Sequence, residues 1–141
     1  LDAATAPEPT LPARPAGPAT GRILVAEDNA INRLLAVTLL EGAGYEVTTA
    51  VDGVDGWHEL QGDDYDLVIS DINMPRMNGF DFVRAIKADG RFRRIPVIIV
   101  SYKDQPGDRE QGLEAGANYY LTKSSFHDES LLEAVAELIG T

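Results

Sequence analysis

The chain has 141 residues, 44% hydrophobic and 25% charged, with a formal net charge of −11. That length suits one domain with a sizeable core, and the acidity excludes the basic face needed to hold nucleic acid or an anionic membrane non-specifically. The absence of cysteine excludes disulfides, zinc–thiolate sites and thiol chemistry. No apolar run approaches the about 20 residues of a membrane span. Nothing at the N-terminus has a charged start followed by an apolar block, so a cytoplasmic location is expected. The two histidines, His58 and His127, are too few and too scattered for a histidine metal site.

Residues 1–21, LDAATAPEPTLPARPAGPATG, hold five of the eight prolines and have almost nothing to bury. They are expected to form a flexible Ala/Pro-rich linker. Beginning at Leu1 rather than methionine, the chain reads as a piece of something longer.

From Arg22 to Thr141 strand and helix signals alternate. RILVAED is a short aliphatic run ending in acids. NAINRLLAVTLLEGAG places Ile31, Leu34, Leu35, Thr38 and Leu39 near helical spacing, with Gly42 and Gly44 as stops. YEVTTA reads as a strand, and GVDGWHELQ as a short helix with Val54, Trp57 and Leu60 on one face. DLVIS is a second apolar strand, followed by the helix GFDFVRAIKAD with Phe80, Val83 and Ile86 in phase. IPVIIVS is the most apolar strand, DREQGLEAGA a weak polar helix and NYYLT a strand. HDESLLEAVAELIG is an amphipathic helix with Leu131, Leu132, Val135, Leu138 and Ile139 inward. Inner strands that are apolar on both faces call for a parallel sheet covered by helices. Right-handed crossovers then predict a doubly wound α/β domain over residues 22–141, flavodoxin-like (βα)5, with strand order 2-1-3-4-5.

In such a sheet ligands bind beyond the carboxyl ends of the strands. Strand 1 ends in Glu27 and Asp28, strand 3 in Asp71 followed by Asn73, strand 4 in Ser101, and strand 5 in Thr122 and Lys123. The topology brings these ends to one rim. Clustered carboxylates repel unless a cation compensates, and all-oxygen ligands favour Mg²⁺ or Mn²⁺. A carboxylate, a hard cation, an ammonium and a hydroxyl together can stabilise phosphoryl transfer onto the carboxylate. Taken singly, Asp28 or Asn29 would also serve as a helix N-cap.

These residues resemble the receiver domain of two-component response regulators. The matching pieces are ILVAEDN, DLVISDINMPRMNGF, PVIIVS and GANYYLTK, and they span about residues 22–139. The resemblance implies that Asp71 takes a phosphoryl group from a phosphohistidine, with Mg²⁺ or Mn²⁺ bound. It implies metal ligation by Asp28 and Asp71, by Glu27 through water, and by the Asn73 carbonyl. Ser101 and Lys123 would hold the phosphoryl group. Tyr120 falls at the family's aromatic switch position, where it would turn inward as Ser101 moves; packing in an edge strand is its plainer role. The implied chemistry is self-catalysed phosphorylation and dephosphorylation in a signalling switch.

Three positions depart from the family pattern. Glu27 replaces Asp, Ser124 stands where proline is usual after the lysine, and Tyr102 is large where a small residue is usual. Tyr102 would shield the phosphoryl group, and without proline the usual cis bond would be lost. LTKSSF and LLEAVAELI are most similar to receivers at the C-terminus of chemotaxis-type hybrid histidine kinases. The implied partners are a histidine kinase phosphodonor domain in the same parent chain and a second response regulator, with a monomer or weak dimer as the assembly. Two other functions fit parts of the pattern. A docking module would regulate the attached kinase without phosphorylation. An aspartate-based phosphatase needs a second acid two residues after its nucleophile, where this chain has Asn73.

Overall fold

The computed structural model describes residues 21–101 and 106–139. Of the expected linker, residues 1–20 lie outside the described residues; Gly21, its last, is buried. The elements run β1 (Arg22–Ala26), α1 (Ala30–Gly42), β2 (Glu46–Ala50), α2 (Gly53–Gly62), β3 (Leu67–Ser70), α3 (Gly79–Ala88), β4 (Val97–Ser101), α4 (Pro106–Ala115), β5 (Tyr119–Thr122), a 3₁₀ turn (Lys123–Phe126) and α5 (Ser130–Ile139). The five strands form one parallel sheet in the order β2-β1-β3-β4-β5, which is the expected 2-1-3-4-5 arrangement.

Because side chains alternate across a strand, each inner strand feeds two cores. Leu24, Val68, Val97 and Ile99 face Leu60 of α2 and Phe80, Phe82, Val83 and Ile86 of α3. Ile23, Val25, Leu67, Ile69, Ile98 and Val100 face Ala36 and Leu40 of α1 and Leu131, Ala134 and Val135 of α5. Among the described residues, no helix is long and apolar enough to cross a membrane.

The first helix turns differently from the apolar spacing. Ile31 is 72% exposed and Leu34 66% exposed, and Thr38 also faces solvent. The buried stripe is Asn32, Ala36 and Leu40, at i, i+4, i+8, with Leu35 and Leu39 packed beside it. Ala36 lets the helix lie close to the sheet, a gain that residue-by-residue hydrophobicity does not register. In α2 the inward residues are Gly53, Gly56 and Leu60, while Trp57 is half-buried and meets Phe92 edge-on at 5.5 Å. Gly56 is set by the neighbouring helix: a Cβ there would fall 2.7 Å from Phe82 Cζ.

Gly79 is constrained more tightly still. A Cβ at this first residue of α3 would overlap the Asp71 carbonyl oxygen and lie 2.9 Å from Ile72 Cα. Its amide donates to the Ile72 carbonyl at 2.8 Å, closing the β3–α3 loop on itself. Gly79→Ala is expected to lower stability by about 2–3 kcal/mol in urea unfolding, because backbone must move. Gly62→Ala, where nothing lies within 4 Å, should be neutral or gain at most about 1 kcal/mol. Equal effects of the two would overturn the steric account.

Candidate phosphoryl and metal site

The site is assembled from four strand ends. β1 stops at Ala26, so Glu27 and Asp28 take the first two loop positions. β3 stops at Ser70, and the Asp71 amide then donates to the Ala26 carbonyl at 3.0 Å, bringing the two acidic loop starts side by side. Ser101 is the last residue of β4 and pairs in register with Thr122, the residue before Lys123. A cleft of about 460 Å³ opens there, and Glu27, Asp28, Asp71, Asn73, Ser101 and Lys123 all line it.

Carboxylate oxygens of Glu27, Asp28 and Asp71 lie within 4.8 Å of one another. Lys123 Nζ donates to Glu27 Oε1 at 2.6 Å and stands 3.6 Å from Asp71 Oδ2. Both Lys123 and Glu27 are about 5% exposed at the side chain, and Asp71 10%. Burial pushes the Glu27 and Asp71 carboxyls above the ordinary carboxylate range; Lys123 opposes the shift without reversing it. The second Asp71 oxygen, Oδ1, accepts the Ile72 amide at 2.8 Å, which fixes the carboxylate's rotation. Three carboxylates to one ammonium is a donor set short of positive charge. Hard, all-oxygen and partly open, it fits Mg²⁺ or Mn²⁺.

Asn29 caps α1, its Oδ1 accepting the Asn32 amide at 3.0 Å. Asp28 is therefore spared for the cleft, and it is exposed there. The Asn29 amide in turn donates to Glu27 Oε2 at 3.1 Å. Tyr120 is the expected site residue that does not line the cleft. It sits inward in the α2/α3/α4 core at 2% exposure, with the Arg109 guanidinium 5.3 Å from its ring centroid. Arg109 Nη1 also donates to the Tyr120 carbonyl at 3.1 Å. Ser124 follows Lys123 into the 3₁₀ turn, and no cis peptide occurs among the described residues. Tyr102 lies outside the described residues.

Two contributors escaped the sequence reading. Arg33 Nη1 donates to the carbonyls of Glu27 at 2.9 Å and Asp28 at 3.4 Å, holding the loop that presents both acids. Asn32 lines the cleft from the buried face of α1 at 5% exposure. Its signal in the sequence is a polar residue four before Ala36 and eight before Leu40, on what becomes the inward stripe.

Residues 23–136 match the model of the response regulator receiver domain. A gliding motility regulatory protein of Myxococcus xanthus is 37% identical over 117 residues, covering 83% of this chain. The chain spans 15% of that relative's length. Chemotaxis protein CheY1 of Helicobacter pylori is 35% identical over 122 residues, covering 85% of this chain and 98% of its own. Among solved structures, the receiver domain of a sensor histidine kinase from Pseudomonas aeruginosa, with a magnesium ion coordinated in its active-site cleft, superposes with a TM-score of 0.77. It is 32% identical and covers 87% of this chain and 100% of its own.

Burial of the Asp71 carboxylate, more than its acidic neighbours, should tax the metal-free fold. Asp71 binds its proton more tightly folded than unfolded, so its favourable contribution is complete below about pH 4 and is lost as pH rises through the folded value. Asp71→Asn should therefore raise the urea-unfolding midpoint of the metal-free chain at pH 7. The gain should shrink toward pH 4, and a gain independent of pH would contradict the electrostatic cause.

Proposed function

The chain belongs to the response regulator receiver family, and on that premise we propose that Asp71 accepts a phosphoryl group from the phosphohistidine of a histidine kinase. The observation that carries the reading is the position of the Asp71 carboxylate, 3.6 Å from the Lys123 ammonium in a cleft shared with Glu27, Asp28 and Ser101. In the transfer an Asp71 oxygen forms a bond to phosphorus as the phosphorus–nitrogen bond of the donor breaks. The imidazole leaves with the bonding electron pair and takes up a proton. Lys123, already inside the cleft, pairs with a phosphoryl oxygen, and the Ser101 hydroxyl donates to another. Asp28 and Asp71, the Asn73 carbonyl and Glu27 through water are the groups that would hold Mg²⁺ or Mn²⁺. The bound ion would supply charge neutralisation for the transferring oxygens. Dephosphorylation by water at the same aspartate resets the switch.

The wider role we infer is regulation, or draining of phosphate, in a chemotaxis- or motility-type histidine kinase pathway, with the donor in the same parent chain. The motility and chemotaxis relatives support it. A module that only docks has no need of three carboxylates gathered on one rim, with Glu27 and Asp71 held there against the cost of their burial. The donor's approach is served by the bare apolar side chains of Ile31 and Leu34 on α1. Leu34 and Ala30 line a shallow groove against β2, and Ala30 also lines the acidic cleft, so the groove and the cleft adjoin.

With a phosphorylated histidine domain and Mg²⁺, the chain should become labelled and Asp71→Asn should not. Lys123→Ala should slow labelling by about 10²-fold. Ile31→Asp with Leu34→Asp should slow transfer from the protein donor about 10-fold, yet leave labelling by acetyl phosphate near the wild-type rate. Labelling that survives Asp71→Asn would refute the phosphoacceptor, and an equal loss with both donors would refute the docking face.

A further inference from the structure

The β3–α3 loop, residues 71–78, carries Asn73 and departs from ordinary backbone at one point. Arg76 has φ 65°, the sole positive value for a non-glycine among the described residues. The Met77 amide donates to the Pro75 carbonyl at 2.6 Å across Arg76. A bond from residue i+2 back to i around a positive φ is a γ-turn of the strained hand. For a residue with a Cβ, left-handed backbone costs about 1–2 kcal/mol, so something must hold it in place.

Asp52, in the short loop between β2 and α2, supplies the hold. Arg76 Nε donates to Asp52 Oδ2 at 2.7 Å and Nη2 to Oδ1 at 3.2 Å. The side chain of Asp52 is 4% exposed, and its Oδ1 also accepts the Asp55 amide at 2.8 Å as the cap of α2. One residue on, the Gly53 amide donates to the Met77 carbonyl at 3.1 Å. The tip of the loop is thus fastened twice to the start of α2, and its base is closed by the Gly79–Ile72 hydrogen bond. Ile72 and Met74 are buried, while Asn73 between them is exposed at the cleft. Packing therefore anchors the neighbours of Asn73, and the Arg76 clamp sets the path of the chain on its far side.

We propose that Arg76 is a positioning residue for divalent-cation binding: through its bidentate pair with Asp52 it holds the γ-turn that keeps Asn73 at the acidic cleft, where its carbonyl would reach the cation. The inference rests on the metal-dependent phosphoacceptor reading. An ordinary exposed ion pair contributes little to stability. Here one partner is buried and the other sits on strained backbone, an arrangement suited to fixing a geometry. Asp52 thereby links the β2–α2 connection, which itself offers no group to the cleft, to the loop that does.

The test uses the 141-residue chain and Mn²⁺ alone. Arg76→Gly keeps a residue at ease with positive φ and deletes the clamp. Asp52→Asn keeps a capable helix cap and deletes the charge. Each should weaken Mn²⁺ binding by about 10-fold in calorimetric titration, and the double substitution should weaken it no further than the stronger single change. Amides of residues 73–77 should exchange with deuterium faster in both variants without metal, and phosphorylation by acetyl phosphate should recover at saturating Mn²⁺. Unchanged Mn²⁺ affinity in both variants, or a rate defect that saturating Mn²⁺ leaves intact, would overturn the clamp. A wild-type chain that binds no Mn²⁺ would overturn the metal-dependent reading and the clamp together, so the two failures are distinguishable.

Discussion

The contact on which the site depends is the buried ammonium of Lys123 set against Glu27, with Asp71 beside them. A lysine and two carboxylates at the rim of a sheet are costly to desolvate, and the excess of negative charge remains after they pair. That residual imbalance is what suits the cleft to the proposed chemistry: a cation would satisfy the acids, and a phosphoryl group would then satisfy the lysine. Everything nearby keeps this imbalance from relaxing. The Ile72 amide fixes the Asp71 carboxylate, the Asn29 amide fixes Glu27, and Arg33 ties down the carbonyls of the loop between β1 and α1. Were these groups free to rotate into water, the repulsion would dissipate and so would the selectivity.

Two arginines act on loops rather than on the reacting groups. Arg33 holds the loop after β1, and Arg76 meets Asp52 to hold the loop after β3. Both work from outside the cleft, where a guanidinium can make several directed hydrogen bonds without adding its charge to the site itself. Division of labour between one inner lysine and two outer arginines keeps the centre electrostatically lean.

The sheet and most of the cleft were legible in the sequence because each is written locally. DLVIS and IPVIIVS are apolar on both faces, and each ends on a polar residue that the parallel topology must deliver to one rim. Lys123 and Asp71 could be grouped on that basis, although 52 positions separate them in the chain. The face of α1 was not legible, since Ile31 and Leu34 outrank Asn32 and Ala36 in hydrophobicity and the closeness of α1 to the sheet is a tertiary property. Arg76 and Asp52 escaped for another reason: they lie in two connecting loops with no period, 24 residues apart, and although Arg76 falls inside the matching piece DLVISDINMPRMNGF, nothing in the sequence pairs it with Asp52. A turn-forming Pro75 before an arginine was the available hint. Tyr120 was identifiable as an aromatic on the last strand, whereas its partner Arg109 sits on a helix too polar to announce a packing face.

The sheet register carries a consequence for how such a chain can change length. Ala26 is in step with Ser70, and Ser101 with Thr122. One residue gained or lost inside β1 or β3 would turn Glu27 or Asp71 to the opposite face of the sheet. The far ends of the strands have no such duty. There the Gly90–Arg94 stretch, exposed except for Phe92, and the turn around Gly44 contribute nothing to the lining of the cleft. Insertions and deletions should therefore accumulate on the helix-to-strand side of the molecule, and a foreign peptide or reporter spliced in there would leave the acidic rim in place.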